Sequence, residues 1–212
     1  MTDRRLFVSW NMDCETVQEE SQATGGSADW ATAERAMRGY VERLVERGQR
    51  VTLFLVPRLA EALPEVVRDL IAAGAEPGLH IHPQTTDLGY DAHLGQLPLE
   101  TQRLLLQQGR DRVAAVAGRA PTSFRSGCIS ESWEIFPMLL ELGFTQGSTT
   151  LPGRNLPSVA AVCVNDTPFA NWREGGFGRR FLELPVGVAL DEVGPHREAP
   201  CSPRHLRLEY EG

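Results

Sequence analysis

The chain has no uninterrupted apolar run of the roughly 18 residues that a membrane-spanning helix needs, and its opening, MTDRRLFVSWNMD, lacks the long apolar core of a secretory signal. A cytoplasmic location without a membrane partner is the expectation. Positive charge is in deficit too: 21 Lys and Arg stand against 28 Asp and Glu, a net charge of −7. That balance disfavours attraction to a phosphate backbone, so nucleic acid is not an expected partner. Cysteine is sparse. Cys14, Cys128, Cys163 and Cys201 lie far apart and form no CxxC pair, so a disulfide framework or a zinc ribbon has little support and reduced thiols are the default. Internal repeats and low-complexity segments are absent as well.

What is present reads as an alternation of strands and helices. A length of 212 residues suits one large domain with a substantial core, spanning 1–212 and open to continuation past Gly212. A strand begins at LFVSW, and a polar loop of small residues follows it. A helix is predicted from Ala31 to Arg47, where Ala33, Met37, Tyr40, Val41, Leu44 and Val45 recur at helical spacing and Gly48 closes it. VTLFLVP is a strand apolar enough to be buried on both faces. A second helix runs from Ala60 or Pro64 to Ala73, PGLHIHP is a third strand, residues 99–118 a long helix, and SFRSGC a short strand. WEIFPMLLELG is helical, with Pro137 in a first turn or at a kink. GFTQGSTT, VAAVCVND and RRFLELPVGVA are further strands, TPFANWREGGFG and DEVGPHREAPCSPRHL loops, and HLRLEYEG one last strand. The fold class is therefore α/β, a parallel sheet or barrel with outer helices. In such folds chemistry gathers at the carboxyl ends of the strands, and Asp13, the histidines of HIH and Arg125 all fall at such ends.

In SWNMDCET, Ser9, Asn11, Asp13 and Glu15 share one face of an extended segment, which is either solvent or a site. His80 and His82 stand two apart, so on a strand both imidazoles point the same way and can chelate one ion. Asp13, from a neighbouring strand, is the best placed carboxylate to complete a two-histidine, one-carboxylate set with positions open to water and substrate. The plain alternative is a polar strand end in which the histidines bond to backbone or water and Asp13 caps a loop. Arg125, ending a short strand before a helix, can orient an acidic group or bind a substrate oxygen, where a surface ion pair is the plain alternative.

Together, SWNMDCE, GLHIHP, FRSG followed by a helix and LGFTQGSTT, and ELPV resemble the polysaccharide deacetylases over roughly residues 5–188. The resemblance implies a distorted or incomplete (β/α) barrel. It also implies a divalent metal, commonly zinc, held by one Asp of the first motif and two His of the second. In that family the metal polarises an N-acetyl carbonyl and activates water, an Asp takes the proton, and a late His protonates the amine. Carried over by position, Asp13 matches the metal-binding Asp and His80 the first metal-binding His. Arg125 takes the place of the Arg that holds the catalytic Asp, and Glu183, Leu184 and Pro185 match the last strand lining the pocket.

Two departures stand out. Asn11 occupies the place of the general base, and an amide accepts no proton near neutral pH. Either Glu15 takes that role, or the metal lowers the water pKa unaided, or the chemistry has been lost. The residue four after His80 is Gln84, a poor zinc ligand, so His82 is the expected second imidazole, with His93 a further option. For the general acid only His196 and His205 lie in the right part of the chain, and a longer chain would place it past Gly212. Trp172, in a glycine-rich loop, is a candidate sugar-stacking wall. The expected function is a metal-dependent hydrolase of a linear amide, removing an acetyl group from an amino sugar or a related small metabolite. The alternative is a non-catalytic, carbohydrate-binding or regulatory protein that keeps the pocket but has lost the base.

Overall fold

A computed structural model of the chain describes residues 8–21, 25–193 and 203–205. Strand β1 (Trp10–Cys14) starts later than the apolar run LFV suggests, and Leu6 and Phe7 lie outside the described residues. Helix α1 (Trp30–Val45) starts where the Asp29 carboxylate accepts the backbone N–H of Thr32 at 2.7 Å, a side-chain cap for an orphan donor. Its Ala33, Met37 and Val41 face the core. Strand β2 (Val51–Leu55) is buried nearly throughout, as its continuous apolar run requires.

The expected second helix is two. Helix α2 (Pro57–Ala62) and helix α3 (Pro64–Ala72) are separated by Leu63, whose backbone leaves the helical region at φ −123° and ψ 53°. Pro64 is the physical reason, because its ring excludes the residue before it from the α region. Strand β3 (Glu76–Ile81), helix α4 (Leu99–Ala117), strand β4 (Ser123–Ser126) and helix α5 (Ile135–Glu141) follow. Pro137 falls in the first turn of α5, where its missing N–H costs nothing. Beyond it come the short strands β5 (Gln146–Gly147), β6 (Asn155–Leu156), β7 (Ala161–Val162), β8 (Asn171–Glu174) and β9 (Arg180–Glu183), then β10 (Val188–Val193), which pairs with β11 (Pro203–His205). Strand β8 lies in the segment expected to be a loop, where only a weak alternation of half-buried Asn171 and Arg173 with exposed Trp172 and Glu174 marks it. Of the expected last strand, residues 206–212 lie outside the described residues.

Seven strands form one sheet in the order β1-β2-β3-β4-β5-β9-β8. Neighbours are parallel except at the β8 edge, which runs antiparallel to β9. Among the described residues β1 and β8 do not pair, so the α/β sheet is an unclosed barrel, consistent with the expected incomplete form. The main core lies between the outer face of the sheet and the helices, from Met37 and Val41 across Leu53, Leu79 and Phe124 to Phe136 and Phe181. Helix α4 passes so close to β3 that a Cβ on Gly109 would stand 2.6 Å from Ile81 Cδ1, so a larger residue there would displace the Ile81 and Leu79 side chains. Phe124 is fully buried, with its ring centroid 5.8 Å from that of Phe144. Truncating it to Ala is expected to cost about 3–5 kcal/mol in chemical denaturation. A loss under about 1 kcal/mol would contradict this description of the core.

Candidate functional site

The other face of the sheet is polar. Its side chains follow strand parity: Asn11 and Asp13 on β1, Thr52 and Phe54 on β2, Gly78 and His80 on β3, Ser123 and Arg125 on β4. Backbone register sets which of them meet. Cys14 pairs with Leu55 and Leu55 with Leu79, while His80 pairs with Arg125. One step along the strands, Glu15, His80 and Arg125 therefore share a row, and Asp13 lies two residues below it, roughly 7 Å back.

The side chains confirm the row. His80 Nε2 and His82 Nε2 both approach Glu15 Oε1, at 3.1 and 3.0 Å. Among the described residues, Glu15, His80 and His82 form the group of potential ligands whose donor atoms all lie within 4.8 Å of one another. Both imidazoles are buried. Asp13, the carboxylate expected to bind metal, is outside this group. It is exposed, and its Oδ1 accepts the Arg125 Nη1 at 2.7 Å. Strand register is the physical reason for the correction, since it carries Asp13 below the histidines and brings Glu15 level with them.

The cluster suits a cation. Nδ1 of His80 faces the Arg125 carbonyl at 2.9 Å, and a carbonyl only accepts, so this nitrogen carries the proton. In the neutral ring Nε2 is then a lone pair aimed at Glu15, as a metal-ligating histidine with a backbone-fixed tautomer requires. Glu15 Oε2 is buried with no hydrogen-bond partner, a carboxylate oxygen with free ligand capacity. Two imidazoles and a carboxylate fit a zinc-type donor set with open positions. Gly127 permits the arrangement, because a Cβ there would stand 2.4 Å from Nδ1 of His82.

Charge is strongly coupled in this cluster. Burial would raise the Glu15 pKa, but the His80 charge and the hydrogen bonds from both histidines outweigh it and lower it to about 2. Burial would likewise lower His80, yet the Glu15 and Asp13 charges and the bonds to Glu15 and the Arg125 carbonyl raise it to about 9. Arg125 is itself nearly buried, bonded through Nε to the Ser148 carbonyl at 3.1 Å and lying 4.4 Å over the Phe54 ring.

The remaining expected residues are placed as follows. Asn11 donates from Nδ2 to the Ser9 carbonyl and lines a small cavity of ≈ 20 Å³ with Thr52, Ser123 and Gln146, below Asp13 and away from the histidines. Glu183 is fully buried, and the N–H and hydroxyl groups of Thr149 and Thr150 occupy its two oxygens at 2.8–2.9 Å. Its expected role as a substrate contact gives way to a structural one, because it points to the outer face with buried Phe181. Burial also raises its pKa against those four bonds. Trp172 is exposed and stacks with Arg180 at 5.1 Å. It pairs with Leu182, which is level with Gln146 and Ser123, so register puts it two residues below the Arg125 row. Gln84 Oε1 is buried with no hydrogen-bond partner among the described residues. His196 lies outside the described residues, and the backbone of His205 pairs with Val188.

In chelator-treated protein the coupled pair gives a pH signature. Glu15, depressed, contributes stability that is present above its unfolded value of 4.5 and lost as pH falls through about 2. His80, elevated, contributes stability that is present below 6.5 and lost as pH rises through about 9. Metal-free protein is expected to lose stability from pH 6.5 to 9, and His80→Gln to flatten that slope. Equal slopes in denaturation series of the two proteins would refute the pairing.

No family model and no curated protein matches the sequence. Among solved structures, the chain resembles a protein from Mycobacterium smegmatis described as a polysaccharide deacetylase, with a TM-score of 0.57 and 23% identity over 89% of this chain and 64% of that one. A second protein so described, from Pseudomonas aeruginosa PAO1, matches with a TM-score of 0.53 and 14% identity over 85% and 61%. A mutant of a CE4 family pseudoenzyme with restored enzymatic activity matches with a TM-score of 0.50 and 16% identity over 72% and 49%. The chain thus spans less than two thirds of the length of each. Likeness at this level speaks for architecture, and the chain has the fold of the polysaccharide deacetylases.

Proposed function

We propose that the chain is a metal-dependent hydrolase of a linear amide, acting by N-deacetylation on an amino sugar or a related small metabolite. The observation that carries this reading is the convergence of Glu15, His80 and His82, with the Asp13–Arg125 pair beside them. Glu15, His80 and His82 would hold a divalent ion, with zinc first among the choices for such a donor set. A bound ion there supplies Lewis-acid polarisation of the amide carbonyl and a lowered pKa for water.

The chain's own residues divide the other tasks. Arg125 fixes one oxygen of Asp13 through a charge-assisted bond of 2.7 Å. Asp13 is exposed, which leaves its second oxygen able to accept a proton from an attacking water as general base. The first motif is thereby read in a shifted frame: Glu15 serves as ligand and Asp13 as base, where the sequence suggested Asp13 and Asn11. The rival, non-catalytic reading drew its support from an amide at the base position. Asn11 below the site and a carboxylate beside the histidines favour the catalytic reading over that one.

Metal analysis with a deacetylation assay on a panel of N-acetylated sugars tests the proposal. Wild-type protein is expected to carry stoichiometric zinc and turn over, and Glu15→Gln to lose the metal. Asp13→Asn is expected to keep the metal while kcat falls about 10²–10⁴-fold. Asn11→Asp should change neither. Loss of metal in Asp13→Asn, with retention in Glu15→Gln, would restore the original frame and overturn this one.

A further inference from the structure

The rim beside His82 is built from three segments tied to one another. After β3, the N–H of Gly95 donates to Ser130 Oγ at 2.9 Å and Gln96 Nε2 donates to the Ser158 carbonyl at 2.9 Å. This fixes the turn that starts at His93 to the segments after β4 and β6. Gly127, in the segment after β4, lies against the His82 ring, and Ile129, two residues on, packs with Leu151 and Cys163 in a small separate core. Leu151 begins the turn that ends at Arg154, closed by the Arg154 N–H bonding to the Leu151 carbonyl at 3.0 Å. Cys163 holds both sides of that turn: its N–H bonds to the Arg154 carbonyl at 2.8 Å, and its carbonyl accepts the Gly153 N–H at 2.9 Å. The base of Arg154 is therefore anchored to the segment that backs the second imidazole.

Arg154 is half-buried, and among the described residues no carboxylate lies within ion-pair distance of it. Arg58, Arg112, Arg125 and Arg173 each have such a partner. In a chain with 28 acidic against 21 basic residues, acids to pair with were plentiful. The Arg154 charge instead acts on groups of the site. Burial lowers the His93 pKa, and the charges of His82 and Arg154 lower it further. Burial raises the Cys128 thiol, the Arg154 charge pulls against it, and the Glu15 charge adds to it. Arg154 thus lies within electrostatic reach of His93 and Cys128, which in turn feel the charges of His82 and Glu15. A half-buried guanidinium without an acidic partner is free to pair with an anion that arrives from outside. Its planar fork matches a carboxylate or a phosphate through two parallel bonds.

We propose that Arg154 determines specificity at this site by binding a carboxylate or phosphate group carried by the amide substrate. This rests on the hydrolase reading above and narrows its substrate class to N-acyl compounds bearing a negative charge near the scissile amide. His93, in the same rim, offers a ring nitrogen already engaged by the backbone of its own 3₁₀ turn, so the cationic partner is Arg154.

Titration calorimetry on the metal-loaded protein with two matched probe pairs tests this: N-acetylglucosamine against its 6-phosphate, and N-acetylalanine amide against N-acetylalanine. The anionic member of one pair is expected to bind about tenfold or more tighter than its neutral counterpart, as a charge-assisted bidentate contact implies. Which pair shows it identifies the anion. Arg154→Ala should erase the preference and leave the neutral probe unchanged, and Arg154→Lys should keep part of it. Equal binding within both pairs, no binding of either anionic probe, or a preference that survives Arg154→Ala overturns the proposal. Zinc content and turnover measured on the same samples keep the two readings apart. An anion preference that depends on Arg154 without turnover leaves this inference standing and sinks the hydrolase, whereas turnover of neutral probes indifferent to Arg154 does the reverse.

Discussion

The site depends on the register in which β1, β2 and β3 pair. Parallel strands exchange evenly spaced backbone hydrogen bonds, and each pairing fixes the level of every side chain on both partners. Here Cys14, Leu55 and Leu79 form one row, so the next residues along β1 and β3, Glu15 and His80, arrive together at the carboxyl end of the sheet. A slip of two residues on β1 would keep the same face inward but bring Asp13 to the histidines and carry Glu15 past them. The burial of Leu53, Leu55 and Leu79 under the helices, and the close passage of α4 over β3 at Gly109, hold the register in place. Core packing on one face of the sheet thus decides which carboxylate reaches the imidazoles on the other.

Electrostatics on the polar face divides two carboxylates that sequence alone makes nearly equivalent. Glu15 is enclosed with His80 and His82, and their charge and hydrogen bonds lower its pKa to about 2 despite burial. Asp13 is exposed and takes one bond from Arg125, whose other contacts, to the Ser148 carbonyl and the Phe54 ring, keep the guanidinium fixed. The same strand therefore presents one carboxylate suited to hold a cation and one suited to exchange a proton with solvent, separated by roughly 7 Å along the backbone. Different neighbours give them different chemistry, which is how paired acids commonly divide their work.

Around this centre the loops after the strands form the rim. Gly95 with Ser130, Gln96 with Ser158, and Leu151 with Ile129 bind three segments far apart in sequence into one wall beside His82. Behind it, Glu183 is held by four donors from Thr149 and Thr150. Within that wall, half-buried Arg154 has no acidic partner among the described residues and directs attention to what enters from outside.

The sequence by itself determined the alternation of elements, the apolar β2, the long α4, and the convergence of His80 and His82, because hydrophobic period and strand parity act over a few neighbouring residues. It also determined that Asn11, Asp13 and Glu15 share one face. Strand β8 and the burial of Glu183 were less legible, since each follows from contacts with residues distant in the chain, whereas the division of the second helix at Leu63 follows from the neighbouring Pro64. Tertiary structure alone decided that Glu15 and not Asp13 meets the imidazoles. Parity says which side a residue faces and is blind to how far along its neighbour it stands. That level is set only when whole strands dock against a common layer of helices.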